Sequence, residues 1–255
     1  MNVYSTPHAV DIQWLADNKI TTGWLVNGCY VFRGMDNVKR RDMAAFLHRL
    51  AAKAGKGTNV TPKNNFKDVN AKTPHVADIQ WLAGAGVTEG WKVGNSYEFR
   101  GMNNVVRQDM AAFLRRVAVR HNIAGAKTWK PSAADWNRFT DVDPGTPHAA
   151  DILWLAHAGI ADGYDNGNGT QRYEGMAPMY RQDMAAFLYR LAKKANKLGN
   201  VRPMSFTDVN ASTPHYQEVQ WLGGSGISQG YSNGNGTWRY EGMGHMYRQD
   251  MVALL

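Results

Sequence analysis

The sequence predicts a mainly α chain of tandem helix–loop–helix repeats with short β-ribbon loops. Three observations lead there. The segment "VRQDMAAFLRRVA" from Val106 returns as "KRRDMAAFLHRLA" from Lys39, "YRQDMAAFLYRLA" from Tyr180 and a shorter "YRQDMVALL" from Tyr247. A second phrase, "TPHAVDIQWLA" from Thr6, has close copies from Thr73, Thr146 and Thr213. Between the two phrases lies each time a stretch rich in glycine and asparagine. Such self-similarity marks architectures in which each unit buries its apolar face against its neighbours.

The elements follow in order within one copy. "FKDV" from Phe66, or "FTDV" from Phe139 and Phe206, opens the last three copies. Thr146 is the expected N-cap of the first helix, with Pro147 its first residue, where no hydrogen bond is lost. Ile152, Leu155 and Ala156 give that helix one apolar stripe. Gly159 supplies the left-handed residue that ends it. In the first copy Lys19 takes that place, so the same turn is more strained there. The loops "GWKVGNSYEFRGM" from Gly90 and "GYDNGNGTQRYEGM" from Gly163 carry Gly-Asn and Asn-Gly pairs that favour tight turns. Alternating aromatics such as Tyr97 and Phe99, with Tyr173 in the later loop, point to a short ribbon. The second helix opens at Arg-x-Asp and is expected to bury Met110, Phe113, Leu114 and Val117. The copies span residues 1–54, 66–120, 139–195 and 206–255, with a linker at 121–138. The first lacks its Phe-x-Asp-Val and the last stops inside its closing helix, so both end copies read as truncated.

Bulk properties narrow the classes of function. Of the 255 residues, 44% are hydrophobic and 20% charged, a globular balance. No stretch approaches the roughly 18 apolar residues of a membrane span, and the N-terminus carries no visible signal peptide. The lone Cys29 excludes a disulfide or a cysteine-based zinc site within the chain. A net charge of +8 favours anionic partners. Much of the excess lies between copies, in "AAKAGKGTNVTPK" and "KKANKLGNVR", where lysines also serve to solvate linkers.

The recurring Arg-x-Asp needs two explanations. Asp42, Asp109, Asp183 and Asp250 fall in the first turn of a helix, where a carboxylate complements the dipole and accepts from free backbone N–H groups. A cation at the same end opposes the dipole, so Arg40, Arg107, Arg181 and Arg248 require another reason. One is an ion pair with Asp68, Asp141 or Asp208 of a neighbouring copy. The other is an exposed guanidinium fork for an anionic ligand, assisted by the free N–H groups of the helix start.

Phe-x-Asp-Val, an amphipathic helix, Gly-Ile/Val, Gly-aromatic, a Gly-rich turn and Arg-x-acidic at a helix start resemble the S-layer homology (SLH) repeat over nearly the whole chain. The resemblance implies a pseudo-threefold spindle of three repeats, to which this chain adds an extra partial repeat. It further implies a non-catalytic cell-wall anchoring module that binds an anionic secondary cell-wall polymer non-covalently, at an extracellular or cell-surface location. The family's Thr-Arg-Ala-Glu motif contributes a ligand-binding arginine, which maps onto Arg40, Arg107, Arg181 and Arg248. This chain departs from it with Lys39, Val106, Tyr180 or Tyr247 in the threonine place and aspartate for glutamate. Gly34, Gly101, Gly175 and Gly242 stand where the family usually has proline after the loop aromatic.

Trp24, Trp91, Tyr164 and Tyr231 follow a glycine at the loop entrance, where an aromatic either stacks on a sugar or wedges between copies. Trp14, Trp81, Trp154 and Trp221 read as packing residues, and Met35, Met102, Met176 and Met243 as gap fillers. His8, His75, His148 and His215 recur with no partner histidine or cysteine at suitable spacing, which favours packing or capping over a metal. "DNGNGT" from Asp165 lacks the closing glutamate of a calcium loop. No catalytic motif stands out, no cofactor or metal is implied, and four near-identical copies favour binding over catalysis. The alternative is a structural or protein-interaction array with every arginine used internally. Generic nucleic-acid binding, driven by the net charge alone, is a third class, and no specific nucleic-acid motif is present.

Overall fold

In the computed structural model, residues 9–53, 59–247 and 250–251 are described. They form two compact units, one of Met1–Val105 with Met246–Leu255 and one of Val106–His245. The first unit contains helix α1 (Ala9–Asp17), hairpin β1 (Trp24–Val26) and β2 (Cys29–Val31), and helix α2 (Arg40–Lys53). It continues with α3 (Val76–Gly84) and hairpin β3 (Trp91–Val93) and β4 (Ser96–Glu98). The second unit contains α4 (Arg107–Arg120), α5 (Ala149–His157), hairpin β5 (Tyr164–Asp165) and β6 (Gln171–Arg172), and α6 (Arg181–Lys194). It ends with α7 (Tyr216–Gly224) and hairpin β7 (Tyr231–Ser232) and β8 (Trp238–Arg239). Each hairpin is an isolated antiparallel pair.

The helices pair across the sequence repeats, not within them. α2 packs on α3, α4 on α5 and α6 on α7, so the closing helix of one copy lies against the opening helix of the next. The buried stripe of α4 is Arg107, Ala111, Leu114 and Ala118, at 2%, 0%, 5% and 0% exposure. Met110 and Leu114 are buried as expected, while Val117, also expected inside, is 47% exposed on a helix whose buried face begins at the arginine. Alanines one and three turns after it let the partner helix approach closely.

The Phe-x-Asp-Val tetrapeptide anchors the hairpin of each of the last three copies. Phe139 packs on Tyr173 at 5.6 Å between ring centroids, Phe66 on Phe99 at 5.5 Å and Phe206 on Tyr240 at 5.3 Å. The aspartate then ties the hairpin exit. Asp141 accepts from the backbone N–H of Tyr173 and of Glu174, both at 2.7 Å. Asp68 does the same for Phe99 and Arg100, and Asp208 for Tyr240 and Glu241. The fixed exit holds Arg100, Glu174 and Glu241 at positive φ, between 55° and 58°, and Arg33, in the copy without the tetrapeptide, has a φ of 55°. Gly163 cannot be replaced cheaply, since a Cβ there would stand 2.5 Å from the Phe139 ring at a φ of 79°.

Three local expectations need correction. Thr146 does not cap α5: its hydroxyl accepts from Asp143 N–H at 3.0 Å, closing a turn ahead of the helix. The residue before α5 is His148 at φ 62°, with His75 and His215 in the same conformation before α3 and α7. Thr6, Pro7 and His8 lie outside the described residues. Met35, Met102, Met176 and Met243 fill no gap, being 58% to 64% exposed. The tryptophans divide: Trp154 is fully buried while Trp14 is 48% exposed. Lys19 does adopt the left-handed turn at φ 59°, as Gly159 does at 67°.

Replacing Asp141 with alanine strands two backbone donors that one carboxylate satisfied. A loss of about 2–4 kcal/mol is expected, read as a lower urea midpoint with an unchanged slope. Asp141→Asn, which keeps one acceptor, should lose about half as much.

Candidate functional site

The recurring arginines are buried. Arg40, Arg107 and Arg181 are 6%, 2% and 1% exposed, and Arg248 lies outside the described residues. Each of the three enters the hairpin of the next copy. Its Nε donates to a backbone carbonyl there: Arg40 to Phe99 at 2.9 Å, Arg107 to Tyr173 at 3.0 Å and Arg181 to Tyr240 at 2.9 Å. Its guanidinium lies over the loop-entrance aromatic, Arg40 4.0 Å from the Trp91 centroid, Arg107 4.6 Å from Tyr164 and Arg181 4.7 Å from Tyr231. Arg107 also donates to the Tyr164 hydroxyl at 3.0 Å and pairs with Asp183, to which that hydroxyl donates in turn. Burial pushes the Tyr164 hydroxyl well above its usual range; the Arg107 charge opposes the shift and the bond to Asp183 adds to it. Arg181 donates to the Tyr231 hydroxyl at 3.2 Å.

The helix start is equally occupied. Backbone N–H groups of Arg107 and Gln108 donate to Ala177 and Gly175, and those of Arg181 and Gln182 to Gly244 and Gly242. Arg40 and Arg41 donate likewise to Asn103 and Gly101. These amides had been expected to help bind an anion. The expectation of an exposed guanidinium fork is therefore corrected for Arg40, Arg107 and Arg181, since burial and partners within the chain consume both cation and helix end. Their expected ion-pair partners are corrected too, because Asp68, Asp141 and Asp208 bind hairpin amides instead.

The motif aspartates serve more than one neighbour. Asp109 accepts from Val106 N–H at 3.2 Å and Asp250 from Tyr247 N–H at 3.0 Å. Asp42 lies 3.7 Å from His75, Asp109 3.8 Å from His148 and Asp183 3.6 Å from His215. His75 and His148 face a second carboxylate one turn into the next helix, Asp78 and Asp151, each at 3.4 Å. Among the described residues no cluster of His, Cys, Asp and Glu is arranged to hold a metal ion. Burial alone would raise the Asp78 carboxyl, but hydrogen bonds from His75 and His48 and the Arg49 charge outweigh it and hold it below the usual range. Burial lowers His215, against the opposing pull of Asp183.

A further arginine escaped the sequence reading. Arg49 and Arg190 occupy equivalent places late in the closing helix and bind the carbonyls of Ile20 and Ile160 at 3.1 and 3.2 Å. Each also reaches a carboxylate of the next opening helix, Asp78 and Glu218, both at 3.3 Å. The signal was present: arginine recurs there as Arg49, Arg116 and Arg190.

The first unit also holds an open cleft of about 280 Å³. Thr21, Thr22, Trp24, Arg41, Asp42, Arg49 and His75 are among the residues that line it. Of the expected ligand aromatics, Trp24 lines this cleft. Trp91, Tyr164 and Tyr231 lie beneath docking arginines and act as wedges between copies.

Arg107→Ala leaves Asp183 buried without its cation and should cost about 3–5 kcal/mol in chemical denaturation. Arg107→Lys should recover only part, since an ammonium cannot serve carbonyl, ring and carboxylate together. The His215 shift sets a pH dependence. A histidine lowered in the folded state binds its proton more readily when unfolded, so stability is full above the ordinary value of 6.5 and falls as pH drops through the folded value. Thermal midpoints between pH 7.5 and 5 should show this decline, and His215→Gln should flatten it.

Against known proteins, no curated entry matches the chain. The model of the S-layer homology domain matches residues 138–168 and 205–235. Each match runs from the Phe-x-Asp-Val region through the opening helix into the hairpin. Domains of this family are generally cell-wall anchoring modules of surface proteins. The same Phe-x-Asp-Val, opening helix and aromatic-led hairpin recur in this order with one arginine docked beneath each, and at residues 138–168 and 205–235 the chain carries two repeats that match the S-layer homology domain.

Proposed function

We propose that this chain is a non-catalytic, extracellular cell-wall anchoring module that holds an anionic cell-wall polysaccharide, a secondary cell-wall polymer, without a covalent bond. The fold behind it is proposed to be the SLH-type spindle, extended by a further partial repeat. The observation that carries the reading is the cleft of the first unit, where Arg41, Arg49 and Trp24 meet the hydroxyls of Thr21 and Thr22. Cation, aromatic face and hydroxyls are the groups that an acidic sugar needs. The net charge of +8 would draw a polyanion towards it. No helix among the described residues is long and apolar enough to cross a membrane, so attachment through a wall polymer is consistent with the chain.

The burial of Arg40, Arg107 and Arg181 favours a second reading, an interaction array with no glycan ligand. Sedimentation with purified cell walls separates the two. Anchoring predicts co-sedimentation that disappears when the polymer is stripped from the walls. An array without a glycan ligand predicts that stripping makes no difference. A chain held by charge alone would instead lose binding steeply with salt, whatever the wall preparation.

A further inference from the structure

In the second unit two exposed methionines stand in the middle of a backbone contact between copies. Met176 lies between Gly175 and Ala177, whose carbonyls accept from the N–H groups of Gln108 and Arg107 at 2.9 and 3.1 Å. Met243 lies between Gly242 and Gly244, whose carbonyls accept from Gln182 and Arg181 at 3.0 and 2.9 Å. The docked backbone fixes both methionines, yet both are 64% exposed. A thioether in that state is open to an oxidant, while Met110 on α4 and Met184 on α6 are only 6% and 1% exposed.

The side chain that meets each contact from the docking helix is a buried glutamine. Gln108 and Gln182 are 1% and 7% exposed, and their Oε1 atoms stand 2.8 Å from where a Cβ would lie on Gly175 and Gly242. In the fourth copy Gln182 Nε2 donates to the Met243 sulfur at 3.2 Å. In the third, Gln108 holds the same place against Gly175, but its Nε2 is buried and has no hydrogen-bond partner among the described residues. Since the two contacts share their backbone bonds and their glycine approach, the methionine beside that amide is Met176. A thioether sulfur is a weak acceptor, and an orphaned buried amide costs stability.

From this pairing we infer that Met176 and Met243 are sites of reversible sulfoxidation, at which the sulfoxide oxygen takes the amide donor of Gln108 or Gln182. The oxidant class is a peroxide. The sulfur lone pair attacks one peroxide oxygen, so that an S–O bond forms and the O–O bond breaks. Sulfur is oxidised by two electrons. The departing oxygen keeps the O–O electron pair, collects the proton of the transferred oxygen and leaves as water. A sulfoxide oxygen is the negative end of a polar bond and accepts far better than a thioether. At a buried methionine the new polarity disrupts packing. Here it meets an ill-satisfied donor on one side and solvent on the other, so oxidation tightens the contact between copies. The effect requires no ligand in the cleft.

Dilute hydrogen peroxide on the full chain, followed by peptide mapping and thermal unfolding, tests the site. Met176 and Met243 should gain one oxygen roughly tenfold faster than Met110 and Met184, and the thermal midpoint should rise by about 2 °C. Methionine sulfoxide reductases should return it to its starting value. Two variants isolate the cause. Met176→Leu with Met243→Leu keeps an exposed apolar side chain that cannot take oxygen, and Gln108→Leu with Gln182→Leu removes the donor. Neither should gain stability on oxidation. Uniform oxidation of exposed and buried methionines overturns the site. An unchanged or lower midpoint, or an equal rise in either variant, overturns the bond from amide to sulfoxide. Should the glutamine variant fail to fold, the methionine variant decides alone.

Discussion

The Nε–H of Arg107 points at the carbonyl of Tyr173, 66 residues further along the chain, while its guanidinium rests on Tyr164 and pairs with Asp183. That arrangement constrains everything around it. The arginine can reach the carbonyl only if the hairpin exit is fixed, which Asp141 does by binding two consecutive amides. It can stack only if the loop aromatic is pressed inward, which requires Gly163 and the Phe139 ring below it. It can be buried at all only because carbonyl, hydroxyl and carboxylate together replace its hydration. Arg40 and Arg181 repeat the carbonyl bond and the aromatic contact within their own units.

This coupling explains why the helix pairs straddle the sequence copies. A closing helix sends its first residue into the next hairpin and its late arginine onto the next opening helix. Arg49 and Arg190 thus secure the far end of the same contact that Arg40 and Arg181 secure at the near end. His75, His148 and His215 lie between the two ends, each beside the motif aspartate of the preceding copy. Beside the aspartates that fix each hairpin exit, the recurring polar residues are therefore those that bind copy to copy.

Much of the local structure was legible from residue chemistry. Asn27-Gly28, with φ of 49° and 77°, makes the tight hairpin turn that the pair announces. Gly159 ends α5, and the helices α2, α4 and α6 begin at Arg40, Arg107 and Arg181. The direction of the arginine was not legible, because a cation at a helix start gives no local sign of what it faces. Small residues along its own helical face, Ala111 and Ala118, were the available sign of close packing. Reading the motif as Arg-x-Asp also hid the middle residue, where Arg41 differs from Gln108 and Gln182. The cleft escaped for a related reason, since Trp24, Arg41 and His75 meet only through the fold.

Each internal copy carries both halves of the docking contact, a plug at its closing helix and a socket in its hairpin. Unequal recombination that removes or duplicates one whole copy would leave every remaining internal plug with a socket of the same shape. Copy number is thus free to drift during evolution with little penalty to packing. Single positions still diverge from copy to copy, as Arg41 against Gln108 and Gln182 and Val31 against Glu98 show.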